Sequence, residues 1–180
     1  EWMKRVLKRK SSLPYVSAPV NGDKFHPLRL ISEIARIVPP DTIVTTDVGQ
    51  HQMWVAQAYP FTISRTFLTS GGLGTMGFGG PAAIGAALSN PDRKILCFSG
   101  DGSFLMNIQE LATISELILN LTIVLLNNGA LGLVRQQQEL FYQEKYIASQ
   151  FHFLPDFAAI AKGFGINSVD LACSVNPLKD

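Results

Sequence analysis

The chain has 180 residues, 47% of them hydrophobic, enough to bury the core of one ordinary domain. Its 15 Lys and Arg nearly cancel 14 Asp and Glu, leaving a net charge of +1, so nothing in the balance calls for nucleic acid or an acidic membrane face as a partner. No apolar run is long enough to span a bilayer and no signal-peptide pattern opens the chain; a cytoplasmic protein, present here as a fragment, is expected.

The basic opening EWMKRVLKRK has helical character and reads as a solvated helix rather than a phosphate-binding arm. The stretch SSLPYVSAPVNGDKFHP mixes Pro, Ser and Gly without periodicity. Residues 1–20 are therefore read as a linker and the trailing end of an upstream domain, with the domain proper over 21–180. From there helices and strands alternate. The pattern predicts helices at about 27–38, 50–58 and 81–89, with Pro81 in the first turn, and strands at about 42–46, 66–69 and 94–99. After the turn GDGS it predicts a helix near 107–118, the strand LTIVLLNN, helices near 132–146 and 155–163, and a last strand INSVDL. Uniformly apolar strands separated by helices imply an α/β fold, a parallel sheet covered by helices on both faces. The chain stops at NPLKD where another helix and strand would follow, so the fold reads as truncated at the C-terminus. The two cysteines, Cys97 and Cys173, give neither a disulfide framework nor zinc spacing, and Cys97 in KILCFSG reads as a small hydrophobe.

In such sheets ligands bind beyond the carboxyl ends of the strands. Four of these ends carry unusual sequence: Asp47-Val48-Gly49-Gln50-His51, the run Ser70–Gly80, Ser99-Gly100-Asp101-Gly102-Ser103, and Asn127-Asn128-Gly129. The run Ser70–Gly80 holds a formal G-x-G-x-x-G at Gly72, Gly74 and Gly77, which by itself suggests a dinucleotide loop. That reading needs an acidic residue ending the next strand to hold a ribose. Asp92 has the distance but precedes the strand, and Asp101 lies between glycines in a setting suited to a metal and an oxyanion. Gly100 and Gly102 let the backbone approach a diphosphate, and the N–H groups of Gly102 and Ser103 open a helix, where anions are favoured. A carboxylate beside a diphosphate calls for a cation between them, so Asp101 points to a hard divalent ion, Mg²⁺, with Asn128 on the adjacent strand as the next oxygen donor.

Gly100-Asp101-Gly102 followed by Asn127-Asn128 resembles the signature of thiamine-diphosphate enzymes. Within them, TTDVGQHQMW, TSGGLGTMGFG, GDGSFLMNIQELATI and NNGALGLVRQQQELFY are similar to the catalytic large subunit of acetolactate synthase, over about residues 25–171. The resemblance implies the thiamine-diphosphate-binding fold. It also implies that Asp101, Asn128 and the carbonyl of Ala130 hold Mg²⁺, that Gly49, Gln50 and His51 lie against the diphosphate, that the Gly74 carbonyl meets the cofactor's 4′-amino group, and that Met76 wedges between its two rings. Enzymes of this kind condense two molecules of pyruvate to 2-acetolactate with loss of CO₂ in branched-chain amino-acid biosynthesis. Their activating glutamate belongs to a pyrimidine-binding domain of a partner subunit, and FAD belongs to a middle domain upstream, so neither a catalytic acid nor FAD is expected on this chain. A homo-oligomer with a small regulatory subunit is the expected assembly.

Two departures stand out. Gln137 lies where many such synthases carry tryptophan beside the substrate channel, and Gly80 replaces a larger apolar residue. His26 and His152 are assigned no chemistry. The residues leave open two other readings, a domain of a pyruvate oxidase or 2-oxo acid decarboxylase, and a non-catalytic binding or oligomerisation module.

Overall fold

The computed structural model describes residues 1–12 and 26–171; residues 13–25 of the expected linker, which include the domain start near Asn21, lie outside them, as do Cys173 and the terminal NPLKD. The basic opening forms an exposed helix, α1 (Trp2–Ser12). The next elements follow in alternation: α2 (Pro27–Ile37), β1 (Ile43–Thr46), α3 (Gln50–Ala58), β2 (Phe67–Thr69), α4 (Gly79–Ser89) and β3 (Ile95–Gly100). Then come α5 (Asp101–Phe104), a 3-10 segment (Leu105–Glu110), α6 (Leu111–Glu116), β4 (Leu121–Leu126), α7 (Gly132–Phe141) and α8 (Phe157–Gly163).

The four strands form one parallel sheet in the order β2-β1-β3-β4. Side chains alternate between faces along a strand, and the core divides accordingly. Val44, Leu96 and Phe98 pack with Ile31 of α2 and Val55 of α3 on one face. Ile43, Ile95 and Cys97 pack with Ala83, Ala86 and Ala87 of α4 on the other. A third cluster joins Ile84 to Leu111 and Ile114 of α6, with Ile160 of α8 against it. Both faces are covered, as the apolar strands require. Cys97 is fully buried and its thiol is pushed up to about 12 by desolvation, in keeping with a hydrophobic role.

Four local expectations differ from the structure. GDGS is not a turn: β3 ends at Gly100 and α5 begins at Asp101, with nothing between. The helix expected near 107–118 is instead a 3-10 segment followed by α6, broken by the non-helical backbone of Asn107 (φ −136°, ψ 34°). The helix expected over 132–146 stops at Phe141. Gln138 draws the following segment back by donating from Nε2 to the Ile147 carbonyl (2.9 Å) and accepting from the Ser149 hydroxyl (2.5 Å), and Gln143 and Glu144 take positive φ. INSVDL forms no strand. Ile166 packs into the third cluster, but the segment pairs with no strand among the described residues, and a strand needs a ladder partner for its backbone groups.

Candidate functional site

Topology makes a crevice at one place. From β1 the chain passes through α3 to β2 on one side, then returns through α4 on the opposite face to β3 on the other side of β1. The carboxyl ends of β1 and β3 therefore flank a switch point, where open α/β sheets bind ligands. Asp47–His51 and Gly100–Ser103 sit there, and β4 delivers Asn127–Ala130 alongside.

At the end of β3, Asp101 is 1% exposed. Its Oδ1 accepts from the Gly102 N–H (2.8 Å) and its Oδ2 from the Gly129 N–H (2.7 Å), which ties the β3 and β4 ends together. Burial raises the pKa of its carboxyl, opposed by the N–H groups of Gly102, Gly129, Ala130 and Asn128. Among the described residues no cationic side chain is paired with it. Ser103 is turned inward: its hydroxyl donates to the Gly100 carbonyl (3.2 Å) and accepts from the Gly100 N–H (3.3 Å). Gly102 is buried under Leu131 and Phe151, so its N–H serves Asp101 from inside the fold.

His51 fills the crevice. A Cβ on Gly49 would lie 2.8 Å from its ring and one on Gly100 2.9 Å from its Nδ1, so both glycines exist to admit the imidazole between two backbones. The ring is buried, its Nε2 has no hydrogen-bond partner among the described residues, and desolvation lowers its pKa to about 4 against the pull of Asp47. At neutral pH it is an uncharged ring with one orphaned polar atom.

The residue that sequence reasoning passed over is Asp47, also 1% exposed. Its Oδ1 accepts from the N–H groups of Val48 and Gly77 (both 2.8 Å), and its Oδ2 from Gly79 N–H (3.2 Å) and the Ser99 hydroxyl (3.5 Å). The Gly79 carbonyl accepts from Thr45 Oγ1 (3.0 Å), and a Cβ on Gly79 would meet the Asp47 backbone at 2.7 Å. One carboxylate thus fastens the glycine-rich run and the start of α4 to the end of β1. An aspartate closing a fully buried strand was the available signal, since a buried carboxylate must find several donors.

The glycine-rich run itself is a projecting arm. Gly71–Thr75 is exposed, with Leu73 at 94%. Gly74 takes φ +65° and its N–H returns to the Ser70 carbonyl (3.1 Å). Met76 is half-buried and belongs to none of the three core clusters, so simple core packing does not account for it. On the other flank three amides form a chain: Gln50 Nε2 donates to Gln136 Oε1 (2.9 Å) and Asn128 Nδ2 donates to Gln50 Oε1 (3.2 Å). A Cβ on Gly132 would collide with both Gln50 and Asn128, which is how α7 starts so close to them. Of the QQQ run, Gln136 serves Gln50, Gln138 holds the segment 147–149, and Gln137 is exposed. His152 is exposed, and neither His26 nor His152 joins these groups.

Residues 47–180 match the family model of the thiamine pyrophosphate enzyme C-terminal TPP-binding domain. The chain belongs to this family. It is 54% identical over 177 residues to the acetolactate synthase isozyme 1 large subunit of Escherichia coli (strain K12), 98% of this chain and 31% of that protein. It is 47% identical over 171 residues to the acetolactate synthase large subunit of Lactococcus lactis subsp. lactis (strain IL1403), 95% and 30%. A third relative, the acetolactate synthase large subunit of Parasynechococcus marenigrum (strain WH8102), is 46% identical over 171 residues, 94% and 27%. The chain thus spans under a third of the length of these curated relatives.

For a TPP-binding domain the chemistry of the donor set is specific. No three His, Cys, Asp or Glu side chains cluster as a metal set among the described residues. A cation here would rest on the Asp101 carboxylate, whose oxygens accept the Gly102 and Gly129 N–H groups at short distance and still keep lone pairs, and on neutral oxygens. Asn128 Oδ1 accepts a single N–H, from Ala130 (3.2 Å). The Ala130–Gln150 bridge uses the Gly129 and Ser149 carbonyls and leaves that of Ala130 out. One carboxylate completed by neutral oxygens fits a hard cation that takes its remaining charge from a bound diphosphate. Among the described residues no helix is long and apolar enough to cross a membrane.

Proposed function

We propose that this chain is the cofactor-holding part of an acetolactate synthase large subunit, serving the condensation of two pyruvates to 2-acetolactate with loss of CO₂ in branched-chain amino-acid biosynthesis, in the cytoplasm. The observation that carries this reading is the unpaired, buried Asp101 carboxylate at the switch point, in a chain so close in sequence to named acetolactate synthases. Asp101, Asn128 and the Ala130 carbonyl would hold Mg²⁺, which would supply the positive charge that a bound diphosphate needs. Gly49, Gln50 and His51 line the diphosphate side, with Gly100, Gly102 and Ser103 shaping the backbone beneath it. On the arm, Gly74 would offer its carbonyl to the aminopyrimidine and Met76 would pack against the cofactor rings.

When bound, thiamine diphosphate supplies the electron sink that lets a 2-oxo acid lose CO₂. The residues of this chain bind, orient and exclude water. Gln136 holds the Gln50 amide so that its oxygen faces Asn128, and His51, kept neutral, closes the crevice without adding charge beside the cation. A pyrimidine-binding domain from a partner subunit contributes the activating carboxylate, FAD sits on another domain, and the assembly is a homo-oligomer with a small regulatory subunit. Residues 21–180 act as the binding domain, with 1–20 as a linker and the trailing end of an upstream domain.

Titration calorimetry with thiamine diphosphate tests the grip. Binding is expected to require Mg²⁺ and to vanish in Asp101→Ala and Asn128→Ala; equal binding without Mg²⁺, or unchanged binding in both variants, would sink the assignment. With pyruvate, cofactor and Mg²⁺ the chain alone is expected to form no acetolactate, and measurable turnover would overturn the division of labour.

A further inference from the structure

The arm that carries Gly74 and Met76 is exposed along most of its length, so its direction is set where it re-enters the fold. That place is Gly77. Its N–H donates to Asp47 Oδ1 (2.8 Å) and its carbonyl accepts from Asn107 Nδ2 (2.8 Å), so two side chains from distant segments hold the backbone on either side of one Cα. Gly77 takes φ +85°, and a Cβ there would lie 2.7 Å from Asn107 Nδ2, so only glycine admits the grip. Asn107 is the residue whose non-helical backbone breaks the 3-10 segment, and its Oδ1 accepts from Gln109 Nε2 (3.1 Å), which fixes which end of the amide faces Gly77.

We infer that Asp47 and Asn107 are positioning residues that clamp the Gly77 backbone, and thereby aim the Gly74 carbonyl and Met76 at the aminopyrimidine of the cofactor. The inference rests on reading the chain as a thiamine-diphosphate site. Peptide planarity carries the constraint outward: fixing the Gly77 N–H also fixes the Met76 carbonyl opposite it. At the other foot of the arm, the Ser70 carbonyl and hydroxyl accept the N–H groups of Gly74 and Thr75, so the turn is closed on Ser70 at one end and anchored through Gly77 at the other. None of these contacts reaches Asp101 or Asn128. Among the described residues Asn107 has no bond to His51 or any other residue of the diphosphate side, so its half of the clamp acts on the ring half of the cofactor and leaves the diphosphate grip alone.

Two probes separate those halves. Dissociation constants for thiamine diphosphate and for inorganic diphosphate, each with Mg²⁺, are measured by calorimetry on the wild-type chain, Asn107→Asp and Gln109→Ala. Asn107→Asp removes the donor to Gly77 in a side chain of the same shape. Gln109→Ala alters an exposed side chain that only orients Asn107, so folding is not at stake. Asn107→Asp is expected to weaken thiamine diphosphate about tenfold while inorganic diphosphate stays within about twofold, with Gln109→Ala showing the same selectivity at smaller size. Equal weakening of both ligands, or no change in either, overturns the clamp. A wild-type chain that binds inorganic diphosphate but not thiamine diphosphate, or neither, overturns the cofactor reading beneath it.

Discussion

Asp47 and Asp101 end neighbouring parallel strands, and each is 1% exposed, yet their surroundings differ in kind. Asp47 accepts from three backbone N–H groups and a hydroxyl, drawn from β1, the glycine-rich run and β3. Asp101 accepts at 2.7–2.8 Å from the N–H groups of Gly102 and Gly129 and stays raised in pKa. Burial alone does not distinguish an architectural carboxylate from a ligand-binding one. The origin of the donors does: a carboxylate that fastens three segments is spent on the fold, while one held only by N–H groups beside it and at the end of the next strand, with burial still raising its pKa, is waiting for a cation.

The largest expected effect breaks the comparison most directly. Asp47→Ala leaves several buried donors unpaired and is expected to destabilise the chain by about 4 kcal/mol, against about 1 kcal/mol for Asp101→Ala, where removing an unfavourably buried charge offsets the lost hydrogen bonds. Urea unfolding of both variants measures the gap, and equal losses would show that the two carboxylates are not different in kind.

His51 sits between the two strand ends and sharpens the contrast through pH. Its folded pKa, about 4, lies below the ordinary 6.5 because desolvation outweighs the attraction of Asp47. The unfolded chain then binds the extra proton first, so the stability that comes from keeping this ring neutral is complete above 6.5 and is lost as pH falls to about 4. Linkage puts that loss at about 3 kcal/mol for a shift of this size. Unfolding free energies across that window are expected to fall steeply in the wild type and to be flatter by about one proton in His51→Gln.

The smallest effect separates stability from binding. Gly85 lies exposed in the middle of α4, with nothing within 4 Å of an added Cβ. Gly85→Ala is expected to stabilise by about 0.8 kcal/mol and to leave cofactor affinity unchanged, as thermal unfolding and calorimetry would register. Gly80 also has open space where a Cβ would go, so the missing side chain there leaves the packing of α4 intact.

Much of this was legible in the sequence. The apolar run that opens β3 announced a sheet buried on both faces, and the clusters at 47–51, 99–103 and 127–129 marked the strand ends that the switch point brings together. Three features were not legible, each for a physical reason. INSVDL has the composition of a strand, but a strand exists only with a partner, and pairing is decided far along the chain. The QQQ run gives three neighbours three surroundings, because successive helical residues point about 100° apart. Asp47 lay inside a segment already singled out, but its donors come from 30 and 32 residues downstream at Gly77 and Gly79, and no local pattern reports them.

The clamp on Gly77 has a consequence for the order of assembly. Its two side chains come from 30 residues upstream and 30 downstream, so neither local helix formation nor a single strand pairing closes it. The end of β1 and the break at Asn107 must both be docked before the arm acquires a direction. Pocket geometry is therefore a late product of folding, and a chain with native secondary structure but loose packing at either end would hold a diphosphate before it held the rest of the cofactor.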